Sequence, residues 1–280
     1  LCCLSAAAAN VTKTYDLTFN GLEVSNAFDI RLIKADSHSA IVEVSEEYAP
    51  YLSVTTEAGV LKVKFKKLPV KMKFTGKERF RLTVYTPMIN YLNLSGSCKL
   101  TSTDEWSLGM NNFRATIAGA STVNTLKINS IDVSILVTGA SKADLDGEFG
   151  DLDVNLQGAS KLTVNGSCSD FDAEVLASSD LTFTGKMGTV DLEIKGASKV
   201  SLIGQGSSLN AEVGGASKLT ASEFTVQSAK IDAKGASTVH VNATESLKAD
   251  VQGASTCKYV DNPGLRLNPM VKGGGTFRTL

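Results

Sequence analysis

Apolar and polar residues alternate along most of this chain, and from residue 96 onward the alternation repeats with a long, fixed period. Each repeat is marked by a Gly-Ala-Ser triplet, starting at Gly119, Gly139, Gly158, Gly196, Gly215, Gly235 and Gly253. Ala177-Ser178-Ser179 fills the gap after Gly158, so successive steps are 20, 19, 19, 19, 19, 20 and 18 residues. Gly96-Ser97-Cys98 reads as an earlier copy and Gly273-Gly274-Gly275 as a last one. Two residues before the triplets stand Ile117, Val137, Leu156, Val175, Ile194 and Val213. The positions four before, six before and four after are apolar in the same way, and the residues between them are mostly polar. Apolar residues at alternate positions are the mark of a half-buried β-strand, and no repeat shows the three-and-four spacing of a helix.

Each triplet therefore reads as a corner between strands. Glycine opens backbone conformations closed to other residues, and serine bonds to nearby backbone. Gly and Ser of the triplet share the parity of the apolar positions, so both are expected to face inward. A second corner is expected eight residues on, at Gly147, Gly166, Gly185 and Gly204. Strand, corner, strand, corner over about 19 residues predicts an all-β, parallel β-helix, right-handed by the general preference of parallel crossovers. A single coil cannot offset the entropy of ordering its own backbone, so stability must come from stacking.

Composition adds limits. A hydrophobic share of 42% over 280 residues allows a substantial core, and an aromatic share of 6% suits a narrow interior. The net charge of −1 gives no steering toward nucleic acid, and no apolar run is long enough to span a membrane. Residues 1–9 read as the remnant of a secretory signal closing on small residues, with Cys2 or Cys3 as a weaker lipid-anchor candidate. The protein is accordingly expected to be exported, to the periplasm, cell surface or medium. Cys98, Cys168 and Cys257 are widely scattered and fit packed small residues better than a disulfide framework or a metal site.

Residues 10–95 are rich in strand signals without a visible repeat, and residues 96–280 form the regular coils; the two could be one continuous domain. Alternating stretches cover residues 15–19, 28–33, 41–44, 61–65, 80–85 and 92–94. They fit irregular first coils, or a cap over the open end that a β-helix would otherwise expose. Residues 62–81 are strongly basic and suggest a solvated, charge-protected hairpin; Lys66, Lys67, Lys71 and Lys73 are weak candidates for anion binding.

The N-terminal residues also carry a resemblance. Phe19-Asn20-Gly21-Leu22-Glu23-Val24, Phe28-Asp29-Ile30-Arg31-Leu32, Gly59-Val60-Leu61-Lys62-Val63 and Tyr91-Leu92-Asn93-Leu94-Ser95-Gly96-Ser97 precede the triplet coils. From about residue 16 onward the chain resembles the bacterial family called the putative auto-transporter adhesin head GIN domain, common in Bacteroidetes. The resemblance implies a secreted β-helix. It implies no catalytic residue.

A search for chemistry finds little. His38 and His240 are the only histidines, and no nucleophile-elbow, metalloprotease or phosphate-loop motif is present. The triplet serines are too many and lack a base, so they read as structural. One outward array stands out. Three residues before the triplets stand Glu174, Glu193, Glu212, Asp232 and Asp250, and five before stand Asp153, Asp172 and Asp191. Stacked coils would align them in columns where like charges about 5 Å apart repel by roughly 1 kcal/mol in water. Lys195, Lys230, Lys234 and Lys248 are placed to screen them. A weakly bound Ca²⁺ on Glu174, Glu193, Glu212, Asp172 and Asp191 is the alternative. The expectation is a non-catalytic exported binding scaffold for glycan or envelope polymer, with no cofactor beyond that calcium. The alternative is a β-helix polysaccharide lyase or hydrolase using the acidic face.

Overall fold

The computed structural model describes residues 10–72 and 80–280. The signal-like segment 1–9 and Lys73 lie outside the described residues. The fold is all-β, a parallel β-solenoid of about 10 turns with roughly 19-residue spacing. Among the described residues its 22 strands join in one hydrogen-bonded sheet. No helix among them is long and apolar enough to cross a membrane.

The first part of the chain runs β1 Asn10–Tyr15, β2 Gly21–Ser25, β3 Asp29–Lys34, β4 Ser39–Ser45, β5 Leu52–Glu57, β6 Val60–Phe65, β7 Arg81–Thr86, β8 Tyr91–Ser95 and β9 Lys99–Thr101. These strands do not stack in chain order. Gly21 on β2 lies opposite Val60 on β6 and, on its other side, Tyr91 on β8. β3 likewise sits between β7 and β9, all parallel. The rung made by β2 and β3 is thus second in the stack, and the later β6 and β7 form the rung outside it. β4 then pairs antiparallel with β7, β1 with β4, and β5 with β6. Irregular coils and cap are both present. Among the described residues β6 and β7 do not pair with each other as a hairpin: β6 pairs with β2 and β5, and β7 with β3 and β4; the middle of the basic stretch, residues 73–79, lies outside the described residues. β5 carried no recognised strand signal, and the strand expected at residues 15–19 instead ends at Tyr15.

The regular part continues with β10 Glu105–Ser107, β11 Phe113–Ile117, β12 Thr122–Val137, β13 Lys142–Leu156, β14 Lys161–Val175, β15 Asp180–Ile194, β16 Lys199–Gln205, β17 Ser208–Val213, β18 Lys218–Ala233, β19 Thr238–Val251, β20 Thr256–Tyr259, β21 Arg266–Val271 and β22 Thr276–Thr279. Neighbours pair parallel in the register that the triplets set, for example Asp172 opposite Asp191 and Val175 opposite Ile194. The apolar columns point inward as expected, with Val137, Leu156, Val175, Ile194 and Val213 all at 0–1% exposure. Two further inward positions escaped the pattern reading: Leu145, Val164 and Phe183 after the triplet, and Phe149, Cys168 and Met187 farther along.

The corners match expectation in the serine and differ from it in the glycine and in the second bend. Serine faces inward: Ser121, Ser141, Ser160, Ser179, Ser198, Ser217, Ser237 and Ser255 are at 0–2% exposure. The glycine two residues earlier is exposed, because the left-handed turn breaks the alternation (Gly158 has φ +84°). The buried hydroxyls are spent on the corner itself. Ser160 Oγ donates to the Gln157 carbonyl at 2.6 Å, and the Ser121 amide donates to Ser141 Oγ on the next rung at 3.2 Å. Cys98 occupies the same slot, its thiol 3.2 Å from the Ser95 carbonyl. At Gly147, Gly166 and Gly185 the second expected corner is instead a bend inside a continuous strand, whereas β16 stops just after Gly204. At Gly166, with φ +155°, a Cβ would lie 1.8 Å from the carbonyl oxygen of Gly147 on the rung below. Only glycine lets the rungs approach there.

Candidate binding face

One flank of the solenoid carries the outward residues three and five before each triplet. Strand pairing puts Asp153, Asp172, Asp191 and Asn210 directly in line. Beside them run Asn155, Glu174, Glu193, Glu212, Asp232 and Asp250. Alternation within each strand points both sets to solvent, while Ala173 and Leu192 between them face the core. The two columns wall a shallow groove of about 680 Å³, which runs across the rungs.

All five residues expected to attract calcium, Glu174, Glu193, Glu212, Asp172 and Asp191, line this one groove. Among the described residues, however, no three acidic, histidine or cysteine side chains converge closely enough to hold a metal ion. Rung spacing spreads the carboxylates along the groove. Asp132, Asp151 and Asp170 form a third acidic column next to it, readable from the same counting two residues earlier in each coil.

The repulsion is relieved locally and unevenly. Lys195 pairs with Glu193, and Lys234 with Asp232 at 2.7 Å. The side-chain amide of Asn155 donates to Glu174, and that of Asn210 to Asp191 at 2.7 Å. Lys230 and Lys248, expected to screen as well, enter no ion pair among the described residues. Partial burial, then the neighbouring Asp191 and Asp153 carboxylates, push the Asp172 carboxyl above its ordinary range.

The other candidates lie elsewhere. Lys66, Lys67 and Lys71 follow β6 near the N-terminal end and line none of the groove. Lys62 is tied to Glu57 at 2.6 Å. His240 is half-buried in a column between Thr220 and Lys258, and burial, then Lys218 and Lys258, hold its imidazole below the usual value. His38 contacts the Thr86 hydroxyl at 3.2 Å. Burial pushes the Cys257 thiol up to about 12, and burial with Asp170 and Asp151 does the same for Cys168. Neither thiol supplies a thiolate near neutral pH.

The family model described as putative auto-transporter adhesin, head GIN domain, matches residues 18–185 and 161–263. The chain belongs to this family. Its fold is similar to the crystal structure of a putative adhesin from Parabacteroides distasonis, at 17% identity, with 98% of each chain covered and a TM-score of 0.52. A putative adhesin from Parabacteroides merdae is similar at 18% identity, covering 97% of this chain and 96% of the other, with a TM-score of 0.50. No curated protein matches. At these identities the solved structures show the fold alone.

Proposed function

We propose that this member of the GIN family is a non-catalytic, exported surface protein whose solenoid flank is a rigid binding platform for glycan or envelope polymer. The carrying observation is the unbroken register of the flank. From Lys142 to Ile194 every outward position repeats rung on rung, with the strands in continuous pairing. A repetitive polymer meets a repetitive surface well, whereas an enzyme of this architecture concentrates its chemistry at one break in the repeat. The adhesin description of the family supports the same reading.

Calcium belongs to the proposal as a counter-ion of the acidic groove, bound with millimolar-scale affinity, roughly −4 kcal/mol. Carboxylates strung out at rung height suit loose oxygen coordination better than a tight cage. Lys66, Lys67 and Lys71 remain a proposed anion contact at the N-terminal end. A glycan array run beside lyase and hydrolase assays tests the platform: binding without turnover is expected, and turnover of any polyuronate overturns it. For calcium, the melting temperature is expected to rise modestly over that in EDTA, and Glu193→Gln to remove the rise. An unchanged melt on adding calcium refutes the counter-ion.

A further inference from the structure

The column five residues before the triplets changes sign along the solenoid. Asp153, Asp172 and Asp191 are followed by Asn210 and then by Lys230 and Lys248, each directly opposite the next. One rung beyond, Arg266 takes the place opposite Ser246, above Ser228 and Ser208. These residues line a separate groove of about 420 Å³ with no aspartate or glutamate in its walls. Its floor is apolar, and Leu267 there is 41% exposed.

The charges of this groove are unspent. Among the described residues, neither lysine nor Arg266 enters an ion pair. The nearest acids on the same strands are engaged elsewhere, Asp232 by Lys234 and Asp250 by the Gln252 side-chain amide at 3.1 Å. Two lysines stacked on adjacent rungs repel unless an anion lies between them. The groove is far larger than one oxyanion, and it offers cations at successive rungs, serine hydroxyls between them and apolar surface beneath. We infer that it binds an acidic polysaccharide, with sugar carboxylates or sulfates on Lys230, Lys248 and Arg266 and sugar faces on the apolar floor. This rests on the binding-platform reading and names a ligand class and a place for it.

The test titrates the full chain with polygalacturonate and chondroitin sulfate oligomers, with dextran, free sulfate and phosphatidylglycerol vesicles as further arms. The wild type is expected to bind the acidic oligomers and not dextran, less tightly as salt rises. Lys230→Gln/Lys248→Gln, both exposed, is expected to melt as the wild type does and to bind about tenfold more weakly. Lys161→Gln/Lys199→Gln, exposed lysines outside the groove, is expected to leave binding unchanged. The site is overturned if the first pair binds like the wild type, if the second pair loses as much, or if only vesicles or free sulfate bind. Unchanged binding by the first pair sinks the site and leaves the platform standing. Lysine-dependent binding accompanied by cleavage of the oligomer supports the site and sinks the non-catalytic reading.

Discussion

The two ends of the solenoid are built from the same inward columns and treated in opposite ways. At the N-terminal end, antiparallel β4 extends the first rung and buries Ala40, Val42 and Val44 at 0–1% exposure. Tyr48 closes over Phe65 and Phe80, whose rings lie 4.8 Å apart and against Phe28. The polar strand β1 is left at the edge. At the C-terminal end nothing among the described residues lies beyond the last rung. Leu267 and Val271 continue columns that are sealed one rung earlier at Leu247 and Val251, yet stand 41% and 46% exposed. The last rung carries a block to edge pairing in the strand itself. The Lys272 amide donates back to Val251 at 2.9 Å, so by alternation Pro269 turns the side lacking an N–H toward the open edge. Burial in a solenoid is therefore a property of having a neighbour, and the same side chain at the same coil position is worth different amounts along the stack.

Paired substitutions measure that difference. The largest gap is expected for aspartate in one inward column. Val213→Asp places an unpaired charge between Ile194 and Ala233 and should cost at least about 4 kcal/mol, whereas Val271→Asp should cost under about 1 kcal/mol. Denaturant midpoints give both values, and normal hydrogen-exchange protection around Val213→Asp would show that the register is wrong. Glycines come next. Gly166→Ala drives a Cβ into backbone and should cost about 3 kcal/mol or more, while Gly264→Ala meets nothing within 4 Å and should show only the conformational penalty, about 1–2 kcal/mol. Equal losses would mean that the strand bend tolerates a side chain. The aromatic ends follow: Phe80→Ala should cost about 3–5 kcal/mol and Phe277→Ala, half-buried against Tyr259, about 1–2 kcal/mol. A smaller loss at Phe80 would show that the cap seals less than its burial implies.

The smallest effect concerns the acidic groove. The folded chain holds the Asp172 proton more tightly than the unfolded chain, so ionised Asp172 subtracts stability as pH rises through the carboxylate range. The penalty is absent below the unfolded value. Asp172→Asn should raise the melting temperature slightly at neutral pH and leave it unchanged near pH 3. A gain of equal size at both would place its cause outside the charge.

How much of this was legible follows from where the information lies. The period of the triplets, the inward columns and the acidic columns are all local to one coil and repeated in the next. Counting offsets therefore brought Glu174, Glu193 and Glu212 together correctly without coordinates. Cys98 and Ala177 could be assigned to corners for the same reason, because each keeps its place in the count although its neighbours have changed. The same counting placed Ser160 inward correctly but put Gly158 inward too, since a left-handed residue resets the alternation by an amount that only the turn geometry determines. Nor could it tell a corner at Gly166 from a bend in a continuous strand. Both need a glycine, and what separates them is the oxygen of Gly147 on the rung below. The switch from Asp191 to Lys230 was visible as residues, but whether those lysines are spent on the carboxylates depends on side-chain reach across rungs. The N-terminal stack was beyond sequence altogether. Gly21 meets Val60 and Tyr91 through pairings that skip and return, β4 and β5 run antiparallel to the strands they join, and none of this leaves a period. By itself the sequence determined the coil, because each coil repeats the same physical problem. The order of the first rungs, the cap and the fate of each charge were decided only in the tertiary structure, where residues far apart in the chain compete for the same neighbour.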